Sequence, residues 1–330
     1  MSNRRNSLHA IHALALGALI VLPWQAGAQS AYPARAVHIV NPFAPGGTLD
    51  IMVRPIAERL SQRWGQPVVL DNKPGAAGAI GADFVAKAAP DGYTLLITLS
   101  NTHIHNVILN PKTPYDPIRD FEPVTQLCSG AVVFAARSSQ PSNNAAELIA
   151  AAKASGKAMS YGSWGIGSTG HIFGEQLRRQ SGLDLIHVPY KSDIPALIDL
   201  IGGTIDVSFS GPAAALAQVK AGKVKILAVT GTQRLSAFPE VPSFAEQGIP
   251  GMELTGWFAI FAPGKTPRAI VQKVSADINE LLRVPEIRQR MLDGGCEPVG
   301  STPEQFAAAF REAFPRWAEL IRASGAKLEN

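Results

Sequence analysis

Cysteine is nearly missing from the chain: there are two, Cys128 and Cys296. Two cysteines make neither a disulfide framework nor a metal-binding spacing. They can pair in an oxidising compartment, but Cα separation decides that, and sequence does not show it. Charge is also sparse, with Asp, Glu, Lys and Arg at 17% of residues. The whole chain carries +4; without residues 1–28, which hold two Arg and no acid, 28 basic residues face 26 acidic ones, a net +2. So even a balance leaves no electrostatic footprint for nucleic acid or anionic lipid. Beyond the N-terminus no apolar run is long enough to span a bilayer. There is no G-x-S-x-G elbow, no H-E-x-x-H and no S-x-x-K. No Gly-Lys-Ser/Thr P-loop follows the glycine-rich stretches either. No enzyme class therefore has a local signature here.

What is present begins with an export signal. Arg4 and Arg5 precede an apolar run from Ala10 to Leu22, and Ala26-Gly27-Ala28 is a small-x-small cleavage site. This order of charged, apolar and cleavage regions predicts removal of residues 1–28 and a periplasmic location. The arginine pair lacks the rest of a twin-arginine signal, and no Cys follows the cleavage site to take a lipid anchor. The remaining chain, with 46% hydrophobic residues overall, is long enough for two domains.

Short β-branched runs alternate with helical patterns. Strands are expected at 36–41, 68–72, 93–99, 159–161, 185–189, 205–209, 226–230 and 257–262. Helices are expected at 50–64, 76–88, 144–154, 168–181, 194–201, 213–221, 267–282 and 303–324. Residues 124–136 read as one long apolar strand region, and Pro55 should kink or delay its helix. Alternation of this kind predicts an α/β fold with mostly parallel sheets flanked by helices. Residues 124–136 and 257–262 are the segments placed to cross between two lobes. The expected division is 29–127 for the first part of lobe 1, 128–256 for lobe 2 and 257–330 for the second part of lobe 1.

Four strand ends are rich in Gly, Ser, Thr and Asn, and ligands of open α/β sheets bind outside the carboxyl ends of strands. The first runs Pro42-Phe43-Ala44-Pro45-Gly46-Gly47-Thr48-Leu49-Asp50, where Thr48 can cap a helix whose N–H groups attract an anion. The second is Ser163-Trp164-Gly165-Ile166-Gly167-Ser168-Thr169-Gly170-His171, with Ser168 or Thr169 as the cap of another helix. Gly165, Gly167 and Gly170 spell a dinucleotide fingerprint, but the next strand carries Asp184 at its start and no acid at its end, so no NAD or other cofactor is expected. The third is Ser100-Asn101-Thr102-His103-Ile104-His105; no Cys or carboxylate accompanies the two histidines, so a hydrogen-bonding His103 and a structural His105 are expected, and no metal. The fourth is Ser208-Phe209-Ser210-Gly211-Pro212, with Pro212 suited to the first helical position.

At these residues the sequence resembles the substrate-binding receptors of tripartite tricarboxylate transporters, the Bug group. The resemblance runs from Tyr32-Pro33 to the last helix. Its motifs are Pro42 to Asp50, Asn72-Lys73-Pro74-Gly75-Ala76, Ala89-Pro90-Asp91-Gly92-Tyr93-Thr94-Leu95-Leu96 and Val188-Pro189-Tyr190-Lys191. Gly202-Gly203-x-x-Asp206, Ala228-Val229-Thr230, Pro239-Glu240-Val241-Pro242 and Glu297-Pro298-Val299-Gly300 also fit. The resemblance implies a two-lobed Venus-flytrap fold, a small carboxylate ligand and the permease subunits of such a transporter as membrane partner. A monomer is expected. It also implies ligand carboxylates held by backbone N–H groups, hydroxyls and waters at the first and second turns. The chain departs from the family where Trp164 and Ile166 replace small residues, where Ser210-Gly211 replaces Asp-Asn, and where Ser192 replaces a Gly.

The expected binding set is Phe43, Pro45, Gly46, Gly47, Thr48, Asp50, Ser100, Asn101, His103, Ser163, Trp164, Gly165, Ser168, Thr169, Ser210 and Gly211. These turns hold no Lys or Arg and Asp50 as their one carboxylate, which argues for a ligand without an amino group. Phe43, Trp164 and Ile166 offer apolar surface, so an aromatic dicarboxylate such as phthalate or terephthalate is the candidate. A periplasmic hydrolase or a ligand sensor using the same cleft is the alternative.

Overall fold

The computed structural model describes residues 32–43, 45 and 48–326. The predicted signal segment, Gly46 and Gly47 lie outside the described residues. Two sheets organise the chain. The first contains β1 (Val37–Asn41), β2 (Val68–Asn72), β3 (Thr94–Leu99), β4 (Phe121–Gly130), β10 (Gly256–Pro263) and β11 (Glu297–Pro298), in the order β11-β4-β10-β3-β1-β2. The second contains β5 (Val133–Arg137), β6 (Met159–Ser163), β7 (Leu185–Pro189), β8 (Val207–Ser210) and β9 (Val224–Val229), in the order β7-β6-β8-β5-β9.

In the first sheet β1, β2, β3 and β4 run one way and β10 and the short β11 the other; in the second β5 alone is reversed. β10 runs antiparallel to both β3 and β4, and β5 antiparallel to both β8 and β9. Both inserted strands follow a passage from the other sheet. Parallel neighbours need a helical crossover; a strand that arrives directly from the opposite sheet has none and enters reversed. The passage from β4 to β5 takes only Ala131 and Val132. The apolar run 124–136 is thus two strands in two sheets, because the pattern of buried residues continues while the backbone changes partners.

Ten helices flank the sheets among the described residues: α1 (Thr48–Trp64), α2 (Ala79–Ala86), α3 (Asn106–Leu109), α4 (Ala145–Ser155), α5 (Thr169–Ser181), α6 (Asp193–Gly202), α7 (Pro212–Lys220), α8 (Arg268–Leu281), α9 (Pro285–Asp293) and α10 (Pro303–Ser324). α1 continues through Pro55. α9 and the π-helical turn Asn101–His105 were not expected. α9 starts with Pro285 at its first turn and carries Ile287 and Met291 as its buried pair, a stripe too short to stand out in sequence.

α10 starts with a reciprocal cap, Thr302 and Gln305 each satisfying the other's backbone N–H. Its stripe of Phe306, Phe310, Trp317 and Ile321 is buried. Trp317 has no exposed surface and packs on Phe173 of α5 and on His105, with centroids 5.6 and 4.5 Å away. One helix therefore backs elements belonging to both sheets. Cys128 and Cys296 form a disulfide with Cα atoms 5.6 Å apart, which settles the open pairing. It fixes β4 to the glycine turn after α9.

Candidate functional site

A cleft of about 880 Å³ is bordered by the ends of both sheets. Of the expected residues, Phe43, Pro45, Ser100, Asn101, Trp164, Ser168, Thr169 and Gly211 line it. Asp50, His103, Ser163, Gly165 and Ser210 do not. The side chain of Thr48, like Gly46 and Gly47, falls outside the described residues.

The loop from Ser163 to Thr169 is built by side chains bonding to each other. Gly165 and Gly167 take φ of 126° and 76°, values that favour glycine and let the loop double back. Ser163, fully buried, sits at its centre. Its Oγ lies 2.8 Å from His187 Nε2, receives Ser168 Oγ at 3.3 Å and accepts the Gly165 amide at 3.3 Å. Ser168 caps α5 by accepting the His171 amide at 3.2 Å, and His171 Nδ1 in turn accepts the Gly167 amide at 3.0 Å. His171 stacks on His187 at 4.0 Å. Burial holds both imidazoles below their ordinary pKa, His187 at about 3, so Nδ1 of His171 stays free to accept. The Ser163–His187 pair has the spacing of a nucleophile and base, but Ser163 does not line the cleft; the pair braces the loop. Ser163 and Gly165 thus shape the wall instead of forming it.

Gly170, third in the apparent dinucleotide fingerprint, has another task. A Cβ there would stand 2.8 Å from the Trp164 ring, so the missing side chain is what lets the indole lie over the start of α5. Trp164 and Ile166 give this wall its apolar surface.

The facing wall comes from the turn after β3. Thr169 Oγ1 donates to Asn101 Oδ1 at 3.1 Å, and His105 Nδ1 approaches the Gly167 carbonyl at 3.3 Å. The walls touch directly at this depth. Ser100 and Asn101 line the cleft, and neither the Asn101 amide nitrogen nor the Ser100 hydroxyl has a hydrogen-bond partner among the described residues. His105, expected to be structural, lines the cleft. His103 was expected to reach the ligand. It is instead fully buried among Phe261, Phe121 and Tyr115, with centroids 4.4, 4.6 and 5.9 Å away, and desolvation holds its pKa at about 3. The reason is the turn: residues two apart on a helix point in opposite directions, while Asn101 and His105, four apart, share a face.

Two further corrections concern charge. Asp50 is buried and takes both N–H···O bonds from Arg54, at 2.8 and 2.9 Å, on its own helix. Ser210 is buried and bonds Ser208 Oγ at 2.8 Å. The cleft does hold charged groups that the motif reading passed over: Lys191 and Asp193 line it, as do Gly294 and Gly295 after α9. Asp193 accepts the Gly211 amide at 3.2 Å. A carboxylate in the cleft removes the sequence argument against an amino group. The signal was available: Asp193 begins the helix after β7, the same carboxyl-end position as the four turns singled out. Among the described residues no group of three or more His, Cys, Asp or Glu is arranged to hold a metal.

A ligand-sized cleft between two such sheets, lined by a helix N-terminus, hydroxyls and amides, defines a two-lobed solute-binding protein. The family described as the tripartite tricarboxylate transporter family receptor matches residues 52–326, and the chain belongs to that family. It is 34% identical to Protein BugT of Bordetella pertussis over 299 residues, 90% of this chain and 92% of that one. Among solved structures, a protein of R. palustris with adipate is 34% identical with a TM-score of 0.78, covering 90% of this chain and 100% of the other. MatC from Rhodopseudomonas palustris, with bound malate, is 32% identical with a TM-score of 0.73, covering 88% and 100%.

Proposed function

We propose that this protein is a periplasmic receptor that captures a small dicarboxylate and delivers it to the permease subunits of a tripartite tricarboxylate-type transporter, acting as a monomer exported by residues 1–28. The candidate ligand is an aromatic dicarboxylate such as terephthalate or phthalate. The observation that carries the reading is the start of α5 meeting the facing wall, where Thr169 donates to Asn101 Oδ1 at 3.1 Å beside the capping Ser168. A helix N-terminus there favours an anion by roughly 0.3–1 kcal/mol, more where water is excluded. Trp164, Ile166 and Phe258 supply apolar surface for the body of the ligand. Relatives solved with adipate and malate support a dicarboxylate.

Residues 33–130 and 256–326 serve as one lobe and 133–255 as the other, the first boundary a few residues beyond the expected one because β4 runs to Gly130, closing about the short passage at Ala131–Val132 and the return before β10. Calorimetry on the mature protein with terephthalate, phthalate, adipate, malate, citrate, glutamate and aspartate tests the ligand class. Saturable heat with at least one amine-free dicarboxylate is expected. Tight binding of glutamate or aspartate alone would sink the reading.

A further inference from the structure

We propose that Asp193 is a specificity residue that takes up a proton from solvent as the cleft fills, turning its carboxyl into a hydrogen-bond donor to a ligand carboxylate. The inference rests on the dicarboxylate reading above. The geometry begins with Gly211. Its amide holds Asp193 Oδ1 at 3.2 Å, and a Cβ at Gly211 would stand 3.0 Å from Oδ2. The carboxyl is thereby seated against the turn between β8 and α7, on the cleft wall. Oδ2 has no hydrogen-bond partner among the described residues, and Asp193 is in no ion pair among them.

The surroundings give this carboxylate little to balance its charge. Lys191 is the other charged residue lining the cleft and is exposed, two residues away on the same turn. From α7 the neighbours are Pro212, Ala213 and Ala214. On the facing wall His105 is neutral, since burial holds its pKa at about 4. Asp199, on the same helix, is occupied by the Tyr190 hydroxyl at 2.6 Å, and Asp206, just ahead of β8, by the Ser160 amide. Desolvation raises the Asp193 pKa to about 6, against the opposing pull of the Gly211 amide. The dipole of α6 also opposes it, yet desolvation prevails.

A dianion entering this cleft sets a second carboxylate near Oδ2. Two carboxylates brought within a few ångströms of each other do not both stay ionised easily, and one pKa is driven up. The group already closest to neutral pH takes the proton. The product is one proton shared between a carboxyl and a carboxylate, a short charge-assisted bond. The complex then carries one positive charge more than the sum of its parts, drawn from the buffer.

Two consequences separate this from a passive aspartate. Binding heat should depend on the ionisation enthalpy of the buffer, with uptake approaching one proton per ligand near pH 7.5. Affinity should fall about tenfold for each pH unit above neutrality. The experiment is calorimetry of the full mature protein with adipate and terephthalate, in phosphate and in Tris, from pH 6 to pH 8.5. Asp193→Asn, which keeps an oxygen for the Gly211 amide, should abolish both the buffer dependence and the pH slope and bind more tightly than wild type at pH 8.5. Heat without buffer dependence in the wild type overturns the inference alone, as does an unchanged slope in Asp193→Asn. No heat from adipate, terephthalate or any other amine-free carboxylate of the panel above, at any pH, overturns the dicarboxylate reading and this inference with it.

Discussion

The two walls of the cleft look alike in sequence and are built in opposite ways. Ser163 to His171 and Ser100 to His105 are both polar strand ends with histidines. In the first, polar groups bond to each other: Ser163 to His187, Ser168 to the His171 amide, His171 to the Gly167 amide. In the second, the backbone coils into a helical turn, Thr102 bonds the Ala77 carbonyl at 3.0 Å and His103 enters an aromatic core. One wall is a wired loop; the other is the rim of a packed core. Polar residues in a tight loop point at the loop, whereas on a helix their direction follows the helical period.

The most severe way to break the comparison removes what backs both walls. Trp317 supports α5 through Phe173 and the π-helical turn through His105. Trp317→Ala should cost about 3–5 kcal/mol, read from denaturant unfolding. A loss below about 1 kcal/mol would show that the two walls do not share this support.

Acid should act next, and on both walls, since burial also holds the pKa of His187 in the wired wall at about 3 and lowers that of His171. His103 and His105 are buried with folded pKa values of about 3 and 4, below the ordinary 6.5. The unfolded chain binds more protons below 6.5, so the stability present above that pH is lost as pH falls toward 4. At pH 5 each costs up to about 2 kcal/mol. Asp193 works in the other sense. Its folded pKa is raised to about 6, so its penalty is felt at neutral pH and relieved as pH falls through 6. Unfolding free energies at pH 7 and 5 check the sum; a flat profile would contradict the burial of these imidazoles.

The wired wall should answer to smaller changes. Ser168→Ala removes the cap of α5 and one bond to Ser163; about 1 kcal/mol of stability should go. Ligand affinity should fall with it, since the same hydroxyl lines the cleft. Gly170→Ala would leave the cap intact and push on the Trp164 ring, changing affinity for aromatic more than for aliphatic dicarboxylates. Equal changes for both would show that Trp164 does not touch the ligand.

Much of this was legible beforehand. Alternating periods gave the strands and helices, and Gly-rich strand ends pointed to the turns at Phe43, Asn101, Trp164 and Gly211 that line the cleft. Three things were not legible. The run 124–136 conceals a change of sheet, because burial is continuous across Ala131–Val132. The place of Asp193 on the cleft wall is hidden because the strand end at Val188 to Lys191 lacks the run of Gly, Ser, Thr and Asn that marks the other four. The fate of His103 depended on whether Ser100 to His105 is loop or helix, and polar composition alone speaks for loop.

His103 therefore gives the finest test of the difference. Neither ring nitrogen has a partner among the described residues, so the imidazole is an uncompensated polar group in an aromatic cage. Replacing it by Leu forfeits ring contacts worth about 0.5–1.5 kcal/mol. It also removes a desolvation penalty of about 1–3 kcal/mol. At pH 7 His103→Leu should thus be neutral to slightly stabilising, an unusual result for a fully buried polar residue. At pH 5 it should gain up to about 2 kcal/mol more, because the proton the unfolded histidine would bind is gone. Ligand affinity should stay within about twofold, or 0.4 kcal/mol, since the side chain points away from the cleft. A large loss of affinity with stability unchanged would return His103 to the ligand and make the two walls alike after all.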